Sequence, residues 1–219
     1  MVGRIVGCNA TPMLGAPPHM TTEPADSAEL KRRIRRLLAA IRAMTTDMQI
    51  QGRDAQVSAR HLADRVGALG RAAVASTSKG MDLQSLVLDE LLTHGVNRSA
   101  TVVEGPEVQL NAKSAEVMAL VVHELATNAI KFGALSQPQS QLRVLWWFEN
   151  SAARHLHFEW AEKGVRMAAM KNYNPGFGSR VVKRLIAREL HGDGSMDFLP
   201  DGLLCTVEIP SAEALHSHE

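Results

Sequence analysis

The change in hydrophobic periodicity near residue 80 constrains the fold of this chain more than any other feature of its sequence. Before it, apolar residues recur at helical spacing in two stretches, 26–52 and 54–75, which predicts two amphipathic helices. After it, helical stretches are mixed with short strand-like runs. Two pairs of these runs are joined by turns, at Asn150–Ala153 and at Asp201–Gly202, which predicts two antiparallel hairpins. The sequence therefore predicts an α+β protein: an antiparallel helical hairpin followed by an α/β sandwich with a mixed, largely antiparallel sheet.

The same pattern predicts the domain boundaries. Residues 1–25 hold several prolines and no periodicity, so we expect a flexible tail. The hairpin is assigned to 26–78, the sandwich domain to 79–212 and a short tail to 213–219. Because two amphipathic helices cannot bury both apolar stripes as a lone hairpin, we expect a homodimer in which two hairpins form a four-helix bundle.

Charge and composition limit the kinds of partner that the chain is expected to bind. The formal net charge is +1, so no overall field attracts nucleic acid or a membrane surface. No apolar stretch approaches the roughly 18–20 residues that span a bilayer, and the N-terminus lacks the apolar block of a signal peptide. Cys8 and Cys205 fit no disulfide or metal pattern. We expect a soluble, cytoplasmic protein without membrane insertion or nucleic-acid binding.

A predicted helix at 114–132 carries polar residues on one face. Glu124, Asn128 and Lys131 stand at i, i+4 and i+7, so they share that face. Each side chain needs a partner if it is buried. The set suits a nucleotide-phosphate site, where Asn128 would ligate Mg²⁺, Lys131 would contact phosphate and Glu124 would orient water. The alternative is a solvated polar stripe on a surface helix.

Two later segments favour the nucleotide interpretation. Glu162 ends a predicted strand and is followed closely by Gly164, so it can accept a hydrogen bond from an adenine amino group with room for the base. Gly176 and Gly178 open a helix after an irregular loop, where free backbone N–H groups suit phosphate. Each segment is weak evidence alone, and their order along the chain is more specific.

That order resembles the nucleotide-binding domain of histidine kinases, in the GHKL ATPase superfamily and particularly its HWE subgroup. The similarity covers about residues 28–210 and rests on three segments, HELATNAIKFGALS, WAEKG and NPGFGSRVVKRL followed by GLLCTVEIP. It implies a Bergerat-type sandwich that binds ATP and Mg²⁺, with Glu124 in the catalytic role. By resemblance the ATP–Mg²⁺ site is lined by His123, Glu124, Asn128, Lys131, Glu162, Gly164, Gly176 and Gly178. One departure is that Val165 and Arg166 follow Gly164, where the family usually has a second glycine and a proline.

The larger departure is at the phosphoacceptor. The family's acceptor helix reads roughly E-L-x-H-R-x-K-N-x-L, whereas this chain reads ELKRRIRRLL from Glu29. The register puts Arg32 in place of the histidine and Arg36 in place of the asparagine. A neutral imidazole can attack a γ-phosphoryl group, but a guanidinium stays protonated and has no free lone pair. We therefore expect no phosphate at this position.

The leading hypothesis is a two-component signalling protein: a histidine kinase homologue, or pseudokinase, that binds ATP–Mg²⁺ without phosphorylating itself at Arg32. It would regulate a partner histidine kinase or the receiver domain of a response regulator. A second hypothesis is an active kinase or phosphotransferase that uses another histidine, such as His61. A third is a docking module for receiver domains with a vestigial ATP site. A fourth, motivated by Glu124, is a simple ATPase.

Overall fold

The structure is a computed structural model, and it describes residues 31–35, 38–39, 41, 55–76, 80–94, 101–149, 154–166 and 181–216. The chain divides into two compact units, Met1–Ala40 and Ile41–Glu219. In the first unit residues 31–35 and 38–39 are helical, in agreement with the predicted first helix. The predicted tail at 1–25 lies outside the described residues, and so does Arg36.

Five α-helices in the second unit are described: α1 (Ala55–Ala75), α2 (Leu83–Thr93), α3 (Ala112–Lys131), α4 (Ile186–Leu190) and α5 (Ser211–Ala214). A 3-10 turn, Ala134–Ser136, follows α3, and a π-helical turn, Val181–Leu185, leads into α4. Two helix starts are fixed by N-caps. Asp82 accepts a hydrogen bond from the Ser85 N–H at 2.8 Å, and Asn111 accepts one from the Ser114 N–H at 2.9 Å.

The strands are β1 (Met81–Asp82), β2 (Thr101–Glu104), β3 (Gln109–Leu110), β4 (Gln141–Phe148), β5 (His155–Lys163), β6 (Asp193–Leu199) and β7 (Gly202–Pro210). Five of them form one sheet in the order β2-β4-β5-β7-β6, in which only the β2–β4 pair is parallel. β1 and β3 form a separate antiparallel pair. The predicted α+β class with a mixed, largely antiparallel sheet is confirmed, as are the β4–β5 and β6–β7 antiparallel pairs.

The core lies between the sheet and α3. Along β5 every second residue is buried, so Leu156, Phe158 and Trp160 point to the same side as Glu162. Helix α3 is buried without interruption from Ser114 to Ala126 because it packs against α1, α2 and α4. The polar residues Glu116, His123 and Glu124 therefore lie inside the fold, whereas Asn128 is half-buried and Lys131 is exposed.

Helix α1 belongs to the same compact unit as the sheet. Its buried face differs in part from the predicted stripe, which comprised Val57, Leu62, Val66, Leu69 and Ala73. The buried residues of α1 are Arg65, Ala68, Leu69 and Ala72. They lie at helical spacing on the side of α1 that packs against α3, whereas Val66 is 38% exposed. Leu69 belongs to both the predicted and the observed face, and Ala68 and Ala72 are small enough to allow close approach to α3.

The end of the described chain is also packed. Leu215 pairs with Leu110, and the His216 N–H donates to the Gln109 carbonyl at 2.9 Å. The packed region thus extends beyond residue 212, the predicted end of the domain.

Candidate functional site

The polar face of α3 is covered by α1. The Arg65 guanidinium donates from Nε to Glu124 Oε1 at 2.5 Å and from Nη2 to Glu124 Oε2 at 3.2 Å. Both side chains are 8% exposed, so this is a buried two-point ion pair. The alternative of a solvated polar stripe is wrong at Glu124, since α1 supplies a partner and excludes water.

The other end of the face also meets α1. Lys131 Nζ lies 3.1 Å from His61 Nε2 and 3.4 Å from Nδ1. Lys131 is in the last turn of α3, where a cation interacts favourably with the helix dipole. Asn128 is half-buried and stands between Glu124 and Lys131 along the helix. The predicted three-residue face is therefore real, and α1 approaches both of its ends.

A cavity of about 520 Å³ opens between α1 and α3. It is lined by Gln56, Arg60, His61, Asp64, His94, Thr127, Ile130 and Lys131. Arginine, lysine and two histidines in the lining suit an anionic ligand such as phosphate. Among the predicted nucleotide-site residues that the structure describes, Lys131 is the one that lines this cavity.

His123 has a partner on α2. Its Nδ1 lies 2.7 Å from Glu90 Oε1, while Arg71 of α1 donates to Glu90 Oε2 at 2.6 Å. Burial disfavours the charge on Glu90, but the hydrogen bonds from His123 and Arg71 outweigh it and lower its pKa to about 2. The family resemblance placed His123 at the nucleotide. In the structure it joins α3 to α2.

Glu162 lies under the turn that follows α3. Its Oε2 accepts from the Ala134 N–H at 2.7 Å and its Oε1 from Trp160 Nε1 at 3.0 Å. The residue is 2% exposed, and burial raises its pKa although both hydrogen bonds oppose the shift. The sequence predicted this carboxylate as the acceptor for adenine. Here both oxygens already accept hydrogen bonds from within the chain.

Two glycines make these contacts possible. A Cβ at Gly133 would overlap Glu162 Oε2, so only glycine lets the turn approach the carboxylate. Gly164 has φ +73°, in the left-handed region that favours glycine, and it is exposed at the end of β5. Gly176 and Gly178 lie outside the described residues. Arg32 is in a helical stretch and is exposed.

Sequence reasoning missed three residues that define the site: Arg65, Glu90 and His94. Each looks like an ordinary charged or polar residue of an amphipathic helix. For Glu90 the signal was its position within LDELL, where a carboxylate is surrounded by leucines. The spacing of four residues between Glu90 and His94 was a further local signal, since it puts both on the same side of a helix. Arg65 carries no local signal, because its partner Glu124 is 59 residues away.

Comparison with known proteins identifies relatives of the chain. "Blue-light-activated histidine kinase 1" of Erythrobacter litoralis (strain HTCC2594) is 30% identical over 198 residues, which are 86% of this chain and 54% of the relative. The "Blue-light-activated histidine kinase" of Rhizobium johnstonii is 31% identical over 162 residues, 73% of this chain and 46% of the relative. The homologues are histidine kinases. No family model matches the chain. The chain spans about half the length of these curated relatives.

A solved structure shares the fold. The blue-light activated histidine kinase of Erythrobacter litoralis EL346 superposes with a TM-score of 0.60 at 20% identity, covering 90% of this chain and 62% of that one. The fold is therefore that of a histidine kinase, as the resemblance implied. In the part of the chain that the structure describes, no helix has both the length and the apolar character needed to cross a membrane.

Proposed function

We propose that this chain is an ATP-binding protein of two-component signalling, of the HWE histidine kinase type, that does not phosphorylate itself at the usual acceptor position. The homologous kinases and the shared fold support the class. The observation that carries the proposal is the polar face of α3. Asn128 is half-buried on this face, and Lys131, about one turn further on, lines a cavity whose lining is rich in basic and imidazole groups.

The residues fit a magnesium–phosphate group. Asn128 offers an amide oxygen, and Mg²⁺ in nucleotide sites takes few protein ligands, completing its shell with phosphate oxygens and water. Lys131 supplies positive charge at the cavity wall. Glu124 is held by Arg65, so in this arrangement the metal would depend on Asn128 and the nucleotide. The backbone N–H groups at Gly176 and Gly178 would complete the phosphate contacts.

At the base end, Glu162 would act mainly through the turn that it holds. Its oxygens bind the Ala134 and Trp160 N–H groups, so direct contact with the adenine amino group requires one of them to be exchanged. Gly164 leaves the adjoining surface without a side chain.

Arg32 is the reason for proposing a regulatory protein. A permanently protonated guanidinium cannot accept the γ-phosphoryl group. In addition, Glu124 is paired with Arg65, whereas an active kinase would need this carboxylate beside the phosphoacceptor. Such a protein would regulate a partner histidine kinase or a response regulator. Ile34 and Leu38, which are 47% and 57% exposed, supply apolar surface for a homodimer.

A second candidate function is an active kinase with a displaced acceptor. His61 lines the cavity and its Nε2 lies 3.1 Å from Lys131 Nζ, so an imidazole stands where phosphate is expected. No other described histidine combines these two features.

Labelled ATP with Mg²⁺ separates the two candidates. The proposal expects no acid-labile phosphate on the wild-type chain, some labelling of Arg32→His, and more when Arg36→Asn is added. Wild-type labelling that is lost in His61→Ala would establish the second candidate. Steady phosphate release that is lost in Glu124→Gln would indicate an ATPase, and absence of nucleotide binding would indicate a docking module with a vestigial site.

A further inference from the structure

Three metal-binding side chains meet where α2 ends against α3. Ligand atoms of Glu90, His94 and His123 all lie within 4.8 Å of one another. Glu90 Oε1 is the centre of the group, 2.7 Å from His123 Nδ1 and 3.2 Å from His94 Nε2. Two imidazoles thus converge on one carboxylate oxygen.

Local structure fixes this arrangement. Glu90 and His94 are four residues apart on the last turn of α2, so they project from the same side. His94 caps that helix, with its backbone N–H on the Leu91 carbonyl. His123 enters from the middle of α3, and Arg71 of α1 holds the second oxygen of Glu90. The Arg71 contact orients the carboxylate and leaves Oε1 facing the histidines.

We propose that Glu90 Oε1, His94 Nε2 and His123 Nδ1 form a binding site for a divalent transition-metal ion such as Zn²⁺. Two imidazole nitrogens and one carboxylate oxygen are a donor set that suits Zn²⁺ and its neighbours. Mg²⁺ prefers oxygen ligands, so this site is distinct in chemistry from the proposed nucleotide site. Around a zinc ion with bonds of 2.0–2.2 Å, neighbouring ligand atoms stand roughly 3.0–3.5 Å apart, so small side-chain rotations complete the geometry.

The site has an entry path. Glu90 and His123 are each 5% exposed, whereas the His94 side chain is 24% exposed and lines the cavity between α1 and α3. His94 thus connects the cluster to that cavity, from which water can reach the coordination positions that the protein leaves open. This is a site of three protein ligands with accessible remaining positions.

Metal binding would act on the helices that carry the nucleotide face. The ion would link α2 to α3 through His123, next to Glu124 in sequence, and Glu90 is also joined to α1 by Arg71. Because the metal replaces protons on the imidazole nitrogens, its binding weakens as the pH falls.

The test titrates Zn²⁺ into metal-stripped full-length chain without nucleotide, and uses Co²⁺ visible absorption to report nitrogen donors. The wild type should bind one ion per chain and melt at a higher temperature when it is loaded. His94→Ala should weaken binding at least about 100-fold, since it removes a direct ligand from a site where even outer-sphere changes cost 10–100-fold. His191→Ala is the matched control, because His191 also pairs with a glutamate, Glu213 at 3.2 Å, but lies outside the cluster.

The proposal is overturned if the wild type binds no stoichiometric ion, or if His94→Ala binds as tightly as His191→Ala. His94 is the partly exposed member, and in His94→Ala the Glu90 carboxylate keeps its contacts with His123 and Arg71, so we expect this variant to fold. Glu90→Gln tests the carboxylate but removes a buried ion pair as well. None of these outcomes depends on nucleotide binding, so this site and the proposed function fail or stand separately.

Discussion

Breaking the Arg65–Glu124 pair should destabilise the protein strongly. Arg65→Met keeps most of the aliphatic stem but leaves the Glu124 carboxylate buried without its cation. Both side chains are 8% exposed, so water cannot readily replace the lost partner. Removing one member of a buried ion pair costs about 3–5 kcal/mol, a large part of the roughly 5–15 kcal/mol that stabilises a typical domain.

The assay is urea unfolding followed by helical circular dichroism on a double-mutant cycle. Glu124→Gln leaves Arg65 without a carboxylate and should also destabilise. The double variant Arg65→Met/Glu124→Gln contains neither charge. Its loss of unfolding free energy should therefore be smaller than the sum of the losses in the two single variants. A coupling energy above about 1.5 kcal/mol is expected for two groups in direct contact.

Arg188→Met supplies the control. Arg188 Nε lies 3.5 Å from Glu189 Oε1, but its side chain is 79% exposed. An exposed pair of this kind contributes about 0–1 kcal/mol. The Arg65–Glu124 contact would be contradicted if Arg65→Met lowered the unfolding free energy no more than Arg188→Met does. It would also be contradicted if the losses of Arg65→Met and Glu124→Gln simply added in the double variant.

Three further predictions concern packing and assembly. Gly133→Ala should lower the melting temperature because its Cβ would overlap Glu162, whereas Gly70→Ala, with no atom within 4 Å of the added Cβ in helix α1, should raise stability by about 0.5–1 kcal/mol. If the two variants changed the melting temperature equally, the close approach of Gly133 to the Glu162 carboxylate would be contradicted. Because burial raises the pKa of Glu162, its contribution to folding is full below its unfolded pKa and is lost as pH rises through the folded pKa. The unfolding free energy of wild type minus that of Glu162→Gln should therefore decrease from about pH 4 to pH 7, and a flat or rising difference would refute the shift. Ile34→Asp/Leu38→Asp should convert a dimer to a monomer in light scattering, because each residue is about half exposed in the single chain and would be buried by a partner. A wild-type protein that is already a monomer would refute the proposed homodimer.

The regular elements were predictable because their signals are local. The turn at Asp201–Gly202 predicted the β6–β7 hairpin, and the apolar period predicted α3. The buried position of Glu162 was also readable in principle. The alternation that places Phe158 and Trp160 in the core continues to Glu162 two residues later, so strand geometry alone assigns it to the buried face.

The contacts of α1 were not predictable from the same local signals. Arg65 looks like one more charged residue of an amphipathic helix, and its partner Glu124 is 59 residues away. The stripe predicted for this helix included Leu62, Val66 and Leu69, and of these three only Leu69 is buried. The structure instead buries Ala68 and Ala72, since close packing on α3 favours small side chains. Which face of α1 is buried depends on the surface of α3 that it packs against, and the sequence of α1 alone does not contain that information.

The measurement that tests the central claim most directly is a titration of ATP into the protein with and without Mg²⁺. The account predicts saturable binding that needs Mg²⁺ and that Asn128→Ala weakens about 10-fold or more, because the variant removes the amide oxygen assigned to the metal. Arg143→Ala, which removes an exposed cation on β4 outside the α3 face, should bind as the wild type does. If the wild type binds no nucleotide at millimolar ATP, or binds equally well without Mg²⁺ and with Asn128→Ala, the α3 face is not an ATP–Mg²⁺ site.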